Sequence, residues 1–430
     1  MPQLATHAEC TGCVACYNAC HHRAIEIKAD KEGFLYPKVS KDKCIECKLC
    51  ERSCPVITPP AVEHYEEPKA YALWSNPDRT LSSSGGAFSA FSRLILDKGG
   101  VVFGASFDES LHVKHIEIDS VENLDRLRGS KYVQSNIGDM YQSIKKLLRQ
   151  DRYVLFCGTP CQVAGLRAYL HKDYEKLLLL DLACHGVPSE SVWQSYLSKL
   201  SAKFSNKKIS HYDFRRRNGW GFQPSACIGN KKKLLYGIDS LYMAAFDKSA
   251  LFRKSCYHCQ YASSKRIGDC SIADFWGLGR LGIPFKHDVM KGVSLVLVNN
   301  DKGKRALSML KDCFIEQRPL NEALAQNANL NHPSPYNKDR DGIISAFINP
   351  TTTLNDIDSQ YHLVDHSIKG LIKEWSLRLN LFTPVKQLYN FVMANIHLTT
   401  NDKNTATNST GGGKAQVLYY NLYVSKRRSA

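Results

Sequence analysis

The chain has 430 residues, 43% of them apolar, which allows two or three domains with a substantial core. Lys and Arg outnumber Asp and Glu by 57 to 41, a formal charge of +16, yet no nucleic-acid motif accompanies the basic runs at 215–217, 231–233 and 426–428. The longest apolar stretch, 177–183, is broken by Asp181 and falls far short of the roughly 20 residues of a membrane span.

The chain begins MPQLATHAECTGC, without the basic start and apolar stretch of a secretory signal, so its 16 cysteines are expected reduced, in the cytoplasm, rather than in disulfides. The excess positive charge is expected to be solvated surface and docking for an acidic redox partner or an anionic cofactor. It is partly offset by bound clusters of roughly −2 each.

In chain order, the first feature is a repeat. Cys10, Cys13, Cys16 and Cys20 recur 34 residues later as Cys44, Cys47, Cys50 and Cys54, with identical internal spacing. A 4Fe-4S cube needs four converging thiolates, and a C-x2-C-x2-C loop supplies three of them from one tight turn. In the two-cluster arrangement the last cysteine of each run crosses over. One cluster is therefore assigned to Cys10, Cys13, Cys16 and Cys54, the other to Cys44, Cys47, Cys50 and Cys20. Pro55 follows the second run as the pattern expects, while His21 stands in the corresponding place of the first. Zinc prefers paired C-x2-C knuckles and is the weaker reading. Residues 1–58 are expected to form a small α+β ferredoxin domain, with strand-like segments at 24–27 and 33–37.

Pro55, Pro59, Pro60, Glu63, Glu66, Glu67 and Pro68 mark a linker separating this core from the next. From residue 69 the pattern alternates. Strands are expected at 70–74, 101–104, 113–118, 153–156 and 177–182, and helices after the 82–86 turn to about 98, at 136–149 and at 160–170. This predicts a larger α/β domain with largely parallel pairing over 68–200, followed by a mixed region over 201–345. Residues 361–397 read as helical, and 399–430, rich in Asn, Thr and Gly, as a disordered tail.

Three stretches each fall between an expected strand and an expected helix: SSSGG at 82–86, FCGTPCQ at 156–162 and DLACHGVPS at 181–189. Helix N-termini at strand ends expose backbone N–H groups to anionic ligands. Together with GSKYVQS at 129–135, CYHC at 256–259 and ADFWG at 273–277, these stretches make residues 68–345 resemble the beta-subunit family of coenzyme F-420-reducing hydrogenases and F-420-dependent dehydrogenases. A fused N-terminal ferredoxin is a common arrangement in that family.

The resemblance implies an FAD-dependent oxidoreductase in which clusters pass single electrons to a flavin, which reduces or oxidises a two-electron substrate such as a deazaflavin coenzyme. It makes Ser84, Gly85, Gly86, Gly129, Ser130, Lys131, Tyr132 and Gln134 candidates for flavin contacts. Cys157, Cys161, Cys184, Cys256 and Cys259 offer five thiols for a third 4Fe-4S cluster, with a redox-active pair, a proton-donating thiol or plain packing as the competing readings. Cys227, Cys270 and Cys313 read as structural. His185, beside Cys184, is a candidate proton donor because its ordinary pKa lies near neutrality. Trp276 is a candidate ring-stacking partner. The other functional reading is an electron-transfer subunit with no substrate of its own, serving a redox partner protein or small carrier, or acting in surface-polysaccharide assembly.

Overall fold

A computed structural model describes residues 1–215, 223–279, 281–368, 370–371 and 374–375. The chain divides into two units: residues 1–276 with 288–363, and residues 277–287 with 364–430. In the second unit the Phe285 ring meets His287 edge-on at 5.2 Å between centroids. Most of the expected 361–397 helix, all of the 399–430 tail, Arg216, Arg217 and the 426–428 run lie outside the described residues.

The first unit opens with α1 (Ala15–Ala19), the antiparallel hairpin β1 (Ile25–Ala29) and β2 (Leu35–Val39), and α2 (Leu49–Arg52). Next come β3 (Lys69–Ser75), α3 (Ala87–Leu96), β4 (Val101–Phe107), β5 (Val113–Ile118), α4 (Met140–Arg149), β6 (Val154–Gly158), α5 (Pro160–Leu170), β7 (Leu177–Leu182) and α6 (Glu190–Lys203). β8 (Ile209–Asp213), β9 (Ser225–Ile228) and β10 (Lys231–Leu234) form a small antiparallel sheet beyond it. α7 (Leu241–Asp247), β11 (Cys270–Asp274), β12 (Ser294–Val298), α8 (Asp301–Ser308), β13 (Cys313–Arg318), α9 (Leu320–Leu324), α10 (Arg340–Ile348) and α11 (Leu354–Tyr361) complete it.

The main sheet runs β13-β3-β12-β11-β7-β6-β4-β5. Only its centre, β4, β6, β7 and β11, is parallel; β5, β12, β3 and β13 pair antiparallel. The expected largely parallel sheet is thus corrected to a mixed one. The difference arises because β4 turns directly into β5 and because β12 inserts between β3 and β11 as an antiparallel strand.

Both faces of the sheet are covered, which explains why its central strands read as unbroken apolar runs. Val154, Phe156, Leu177 and Leu179 point to the face covered by α4 and α5, while Leu155, Cys157, Leu178 and Leu180 point to the face covered by α3 and α8. The first face also receives Cys13, Val14, Ala15 and Ala19 from the N-terminal segment. The expectation of separate cores on either side of residues 55–68 is therefore not met. The small side chains of α1 let it lie against α5, and the junction is packed down: Tyr65 N–H donates to the Asn299 carbonyl at 2.8 Å and its hydroxyl to Asp301 at 2.5 Å. No helix among the described residues is long and apolar enough to cross a membrane.

Candidate iron–sulfur and cofactor site

The eight N-terminal cysteines gather around two cavities. Cys10, Cys13, Cys16 and Cys54 line one, with Leu35 and Val56. Cys20, Cys44, Cys47 and Cys50 line the other, with Ile25 and Val39. The two loops are built alike, because the residue after the second cysteine of each run, Val14 and Lys48, takes the left-handed backbone conformation, at φ 55° and 58°. That turn starts the short helix carrying the third cysteine in each run.

Four of the five large-domain cysteines converge as well. Cys161 sits in the first turn of α5, where Thr159 and Gln162 form a capping box. Cys184 lies two residues past β7, Cys256 in the 3-10 turn Lys254–His258, and Cys259 at its end. Cys184 is within electrostatic reach of Cys256, Cys161 and Cys259, and Cys256 of Cys161 and Cys259. Cys157 faces the opposite side of the sheet, inside the α3 and α8 core, so it is the odd one of the five. Burial is the main reason these thiols titrate high: Cys161 is pushed up to about 11, Cys256 to about 12, and Cys184 well above its ordinary value. A reactive thiolate needs the opposite environment.

Among the described residues, no three His, Cys, Asp or Glu side chains close in tightly enough to chelate a single metal ion. The same holds for the eight ferredoxin cysteines, and a four-iron cube needs wider-spaced thiols than one zinc ion does.

The two cysteine regions adjoin. Cys13 is within electrostatic reach of Cys161. A Cβ on Gly165, one helical turn beyond Cys161, would meet the Cys13 Cβ at 2.9 Å and its Sγ at 3.0 Å, so only glycine allows α5 this close to the cysteine loop. Gln134 lies at the same seam: its Nε2 donates to the Thr11 carbonyl at 2.9 Å and its Oε1 accepts from Arg253 at 3.2 Å. Sequence reasoning missed Gly165 and Arg253, although Arg253 stands just three residues before Cys256, directly after Ala250-Leu251-Phe252.

The remaining flavin candidates divide by what surrounds them. A Cβ on Gly85 would strike the Leu73 carbonyl at 2.2 Å, so this glycine serves sheet packing. Gly86 precedes α3 at φ +89°, against Asp78 and Ser82. Ser84 donates to the Val293 carbonyl at 3.1 Å, and the Tyr132 ring packs against Phe246 and Phe214. Lys131 Nζ donates to the carbonyls of Leu127 and Arg128 at 3.0 and 2.9 Å. In contrast, Gly129 holds φ +82° with open space where a Cβ would stand, and Ser130 beside it is half-buried. Ser83 Oγ is buried without a hydrogen-bond partner.

Asp78 joins the two segments. Its carboxylate accepts from Ser75 at 3.0 Å, from Arg93 at 2.8 and 3.0 Å, and from Arg128, whose Nε also donates to Ser89 at 3.2 Å. Burial opposes the Asp78 charge, but Arg93, Ser75 and Arg128 together hold its pKa below the ordinary value. The 82–86 turn and the 129–131 segment are thereby held at one place.

His185 is exposed on the loop after β7, and its carbonyl accepts from Ser334 at 2.5 Å. A different histidine is buried at the sheet: His115 Nε2 faces the Cys157 carbonyl at 3.0 Å and Nδ1 faces Ser135 Oγ at 2.9 Å. Trp276 has the Arg215 guanidinium over its ring at 5.7 Å, and Arg215 is itself buried against Asp274 rather than solvated.

Comparison with known proteins fits this division. Residues 9–57 match the 4Fe-4S dicluster domain, and residues 151–323 match the C-terminal part of the coenzyme F420 hydrogenase/dehydrogenase beta subunit. Through residues 151–323 the chain is related to the F420 hydrogenase/dehydrogenase beta subunits, with a dicluster ferredoxin region ahead of that match. A chain of the F420-reducing [NiFe] hydrogenase complex from Methanosarcina barkeri is similar at 16% identity, over 61% of this chain and 90% of that one, with a TM-score of 0.40. No curated protein matches significantly. With its dicluster domain and its beta-subunit-like region, the chain is an iron–sulfur electron-transfer protein related to the F420 hydrogenase beta subunit.

Proposed function

We propose that this chain is an FAD-dependent iron–sulfur oxidoreductase, in which a third 4Fe-4S centre held by Cys161, Cys184, Cys256 and Cys259 lies between the ferredoxin clusters and the flavin. The observation carrying this reading is the seam at which Cys13 and Cys161 come within reach of each other. When bound, the clusters supply one-electron steps and FAD converts them into two-electron chemistry on a substrate such as a deazaflavin coenzyme.

The chain's own residues then have distinct tasks. The eight N-terminal cysteines hold two clusters, and Gly165 lets one of them approach α5. Ser83, Gly129 and Ser130 offer the flavin an unpartnered hydroxyl and open backbone, on a platform braced by Asp78 and Arg128. Gly85, Gly86, Tyr132 and Gln134 support packing around that platform and the seam rather than touching the cofactor. His185, exposed on the β7 loop, remains the candidate proton donor to the substrate.

The test is anaerobic purification, FAD reconstitution and stopped-flow reduction by a one-electron donor. One bound FAD per chain, reduced through the clusters in the wild type and slowly in Cys256→Ser, is the expected result. Failure to retain FAD after reconstitution would overturn the proposal in favour of a flavin-free electron carrier.

A further inference from the structure

Arg253 is fully buried, and among the described residues it forms no ion pair. Its donors end on neutral acceptors: Nε on the Cys10 carbonyl at 2.6 Å, one terminal nitrogen on the Leu35 carbonyl at 3.0 Å, and the other on Gln134 Oε1 at 3.2 Å. The guanidinium lies 4.0 Å from the centroid of the Tyr36 ring. The nearby carboxylate of Glu32 is committed to Arg340, at 3.0 and 2.6 Å. A buried guanidinium without an anion is strongly disfavoured, so the fold must supply negative charge from another source.

That source is suggested by what Arg253 lies between. On one side it grips the Cys10 loop, which lines the cavity of the first cluster. On the other, its carbonyl accepts from the Cys256 N–H at 2.9 Å, and its charge acts on Cys161 and Cys256. A four-thiolate 4Fe-4S cluster is an anion of roughly −2 and gains one more negative charge on reduction. We infer that Arg253 is the shared counter-charge of the cluster at Cys10, Cys13, Cys16 and Cys54 and of the centre at Cys161, Cys184, Cys256 and Cys259, raising the reduction potential of both. The second half of this inference rests on the third centre proposed above. The sign is fixed by electrostatics, since a buried cation stabilises the more negative, reduced state.

EPR-monitored redox titration of the full, anaerobically purified chain tests the inference. In Arg253→Gln the equilibrium constant for reducing both centres is expected to fall at least tenfold, 59 mV for a one-electron couple. The cluster at Cys20, Cys44, Cys47 and Cys50, which Arg253 does not contact, moves less. Arg253→Lys restores most of the shift, which lost packing alone would not predict. If Arg253→Gln loses iron, Gln134→Glu provides the second variant: it sets a carboxylate against the guanidinium and is expected to shift potentials in the same direction. Wild-type potentials in an iron-replete Arg253→Gln or Gln134→Glu protein would overturn the inference. A wild-type chain with only about eight irons would refute the third centre separately, and the shift of the ferredoxin cluster would still decide whether Arg253 acts on it.

Discussion

Replacing Gly165 by Ala separates what the helix wants from what the seam between the ferredoxin and the sheet domain allows. Gly165 lies inside α5, where alanine is favoured over glycine by about 1 kcal/mol. The added methyl would stand 2.9 Å from Cys13 Cβ, 3.0 Å from its Sγ and 3.1 Å from the Tyr141 hydroxyl, and that hydroxyl is tied to the Gln162 carbonyl at 2.8 Å. Overpacking of this kind costs about 1–3 kcal/mol where neighbours cannot move. The Cys13 Sγ can turn away as a free thiol but not as a cluster ligand, while its Cβ and the Tyr141 hydroxyl stay in place, so the cost is larger with iron bound. The loaded variant is expected to be about 2 kcal/mol less stable than wild type and the iron-stripped variant only about 1 kcal/mol less stable. Denaturant unfolding of both forms under anaerobic conditions, with iron counted in parallel, measures this. An equal shift in the loaded and stripped forms would refute the reasoning that Cys13 is pinned against α5.

Three further outcomes are expected. Cys157→Ser should keep the wild-type iron content, because Cys157 points into the α3 and α8 core; loss of about four irons would place it among the ligands. Gly129→Ala should lower FAD content while iron is retained, since it adds a side chain to a positive-φ position facing open space, and unchanged FAD would remove this segment from the site. His115 is buried, which holds its pKa down to about 4 from 6.5, with a nearby Lys131 adding to the effect and the Cys157 carbonyl opposing it. Because the unfolded chain binds the proton first, this stability is present above pH 6.5 and is lost as pH falls toward 4, by about 3 kcal/mol in all. Urea unfolding at pH 7 and pH 5 should show the slope, and His115→Gln should flatten it.

Much of the central sheet was legible because its signals are local. Residues 113–118, 160–170 and 177–182 form β5, α5 and β7 with the bounds their patterns indicate. In α5 the start is written as Thr159, Pro160 and Gln162: a cap, a proline in the first turn, and a side chain returning to the Thr159 N–H at 3.0 Å. Strand direction was not legible, because the apolar run of β12 reads the same whether its neighbours are parallel or antiparallel. The sheet β8-β9-β10 was missed because Lys231, Lys232 and Lys233 make β10 an exposed edge with no apolar alternation.

At the site, the eight ferredoxin cysteines announce themselves by spacing, whereas the selection of four large-domain cysteines from five depends on which face of β6 Cys157 takes. Arg253 was illegible for a related reason. Its partners Cys10 and Gln134 lie 243 and 119 residues away in sequence, and an arginine followed by Lys254 reads as ordinary surface charge, with no local mark of a role. Asp78, which joins the 82–86 turn to the 129–131 segment, is hidden in the same way: its partner Arg128 is 50 residues distant.

The third centre is tested most directly by counting iron and acid-labile sulfide per chain in anaerobically purified wild type and Cys184→Ser. About 12 irons in the wild type and about eight in the variant are expected, with the ferredoxin EPR signals intact in both. About eight in each would contradict it.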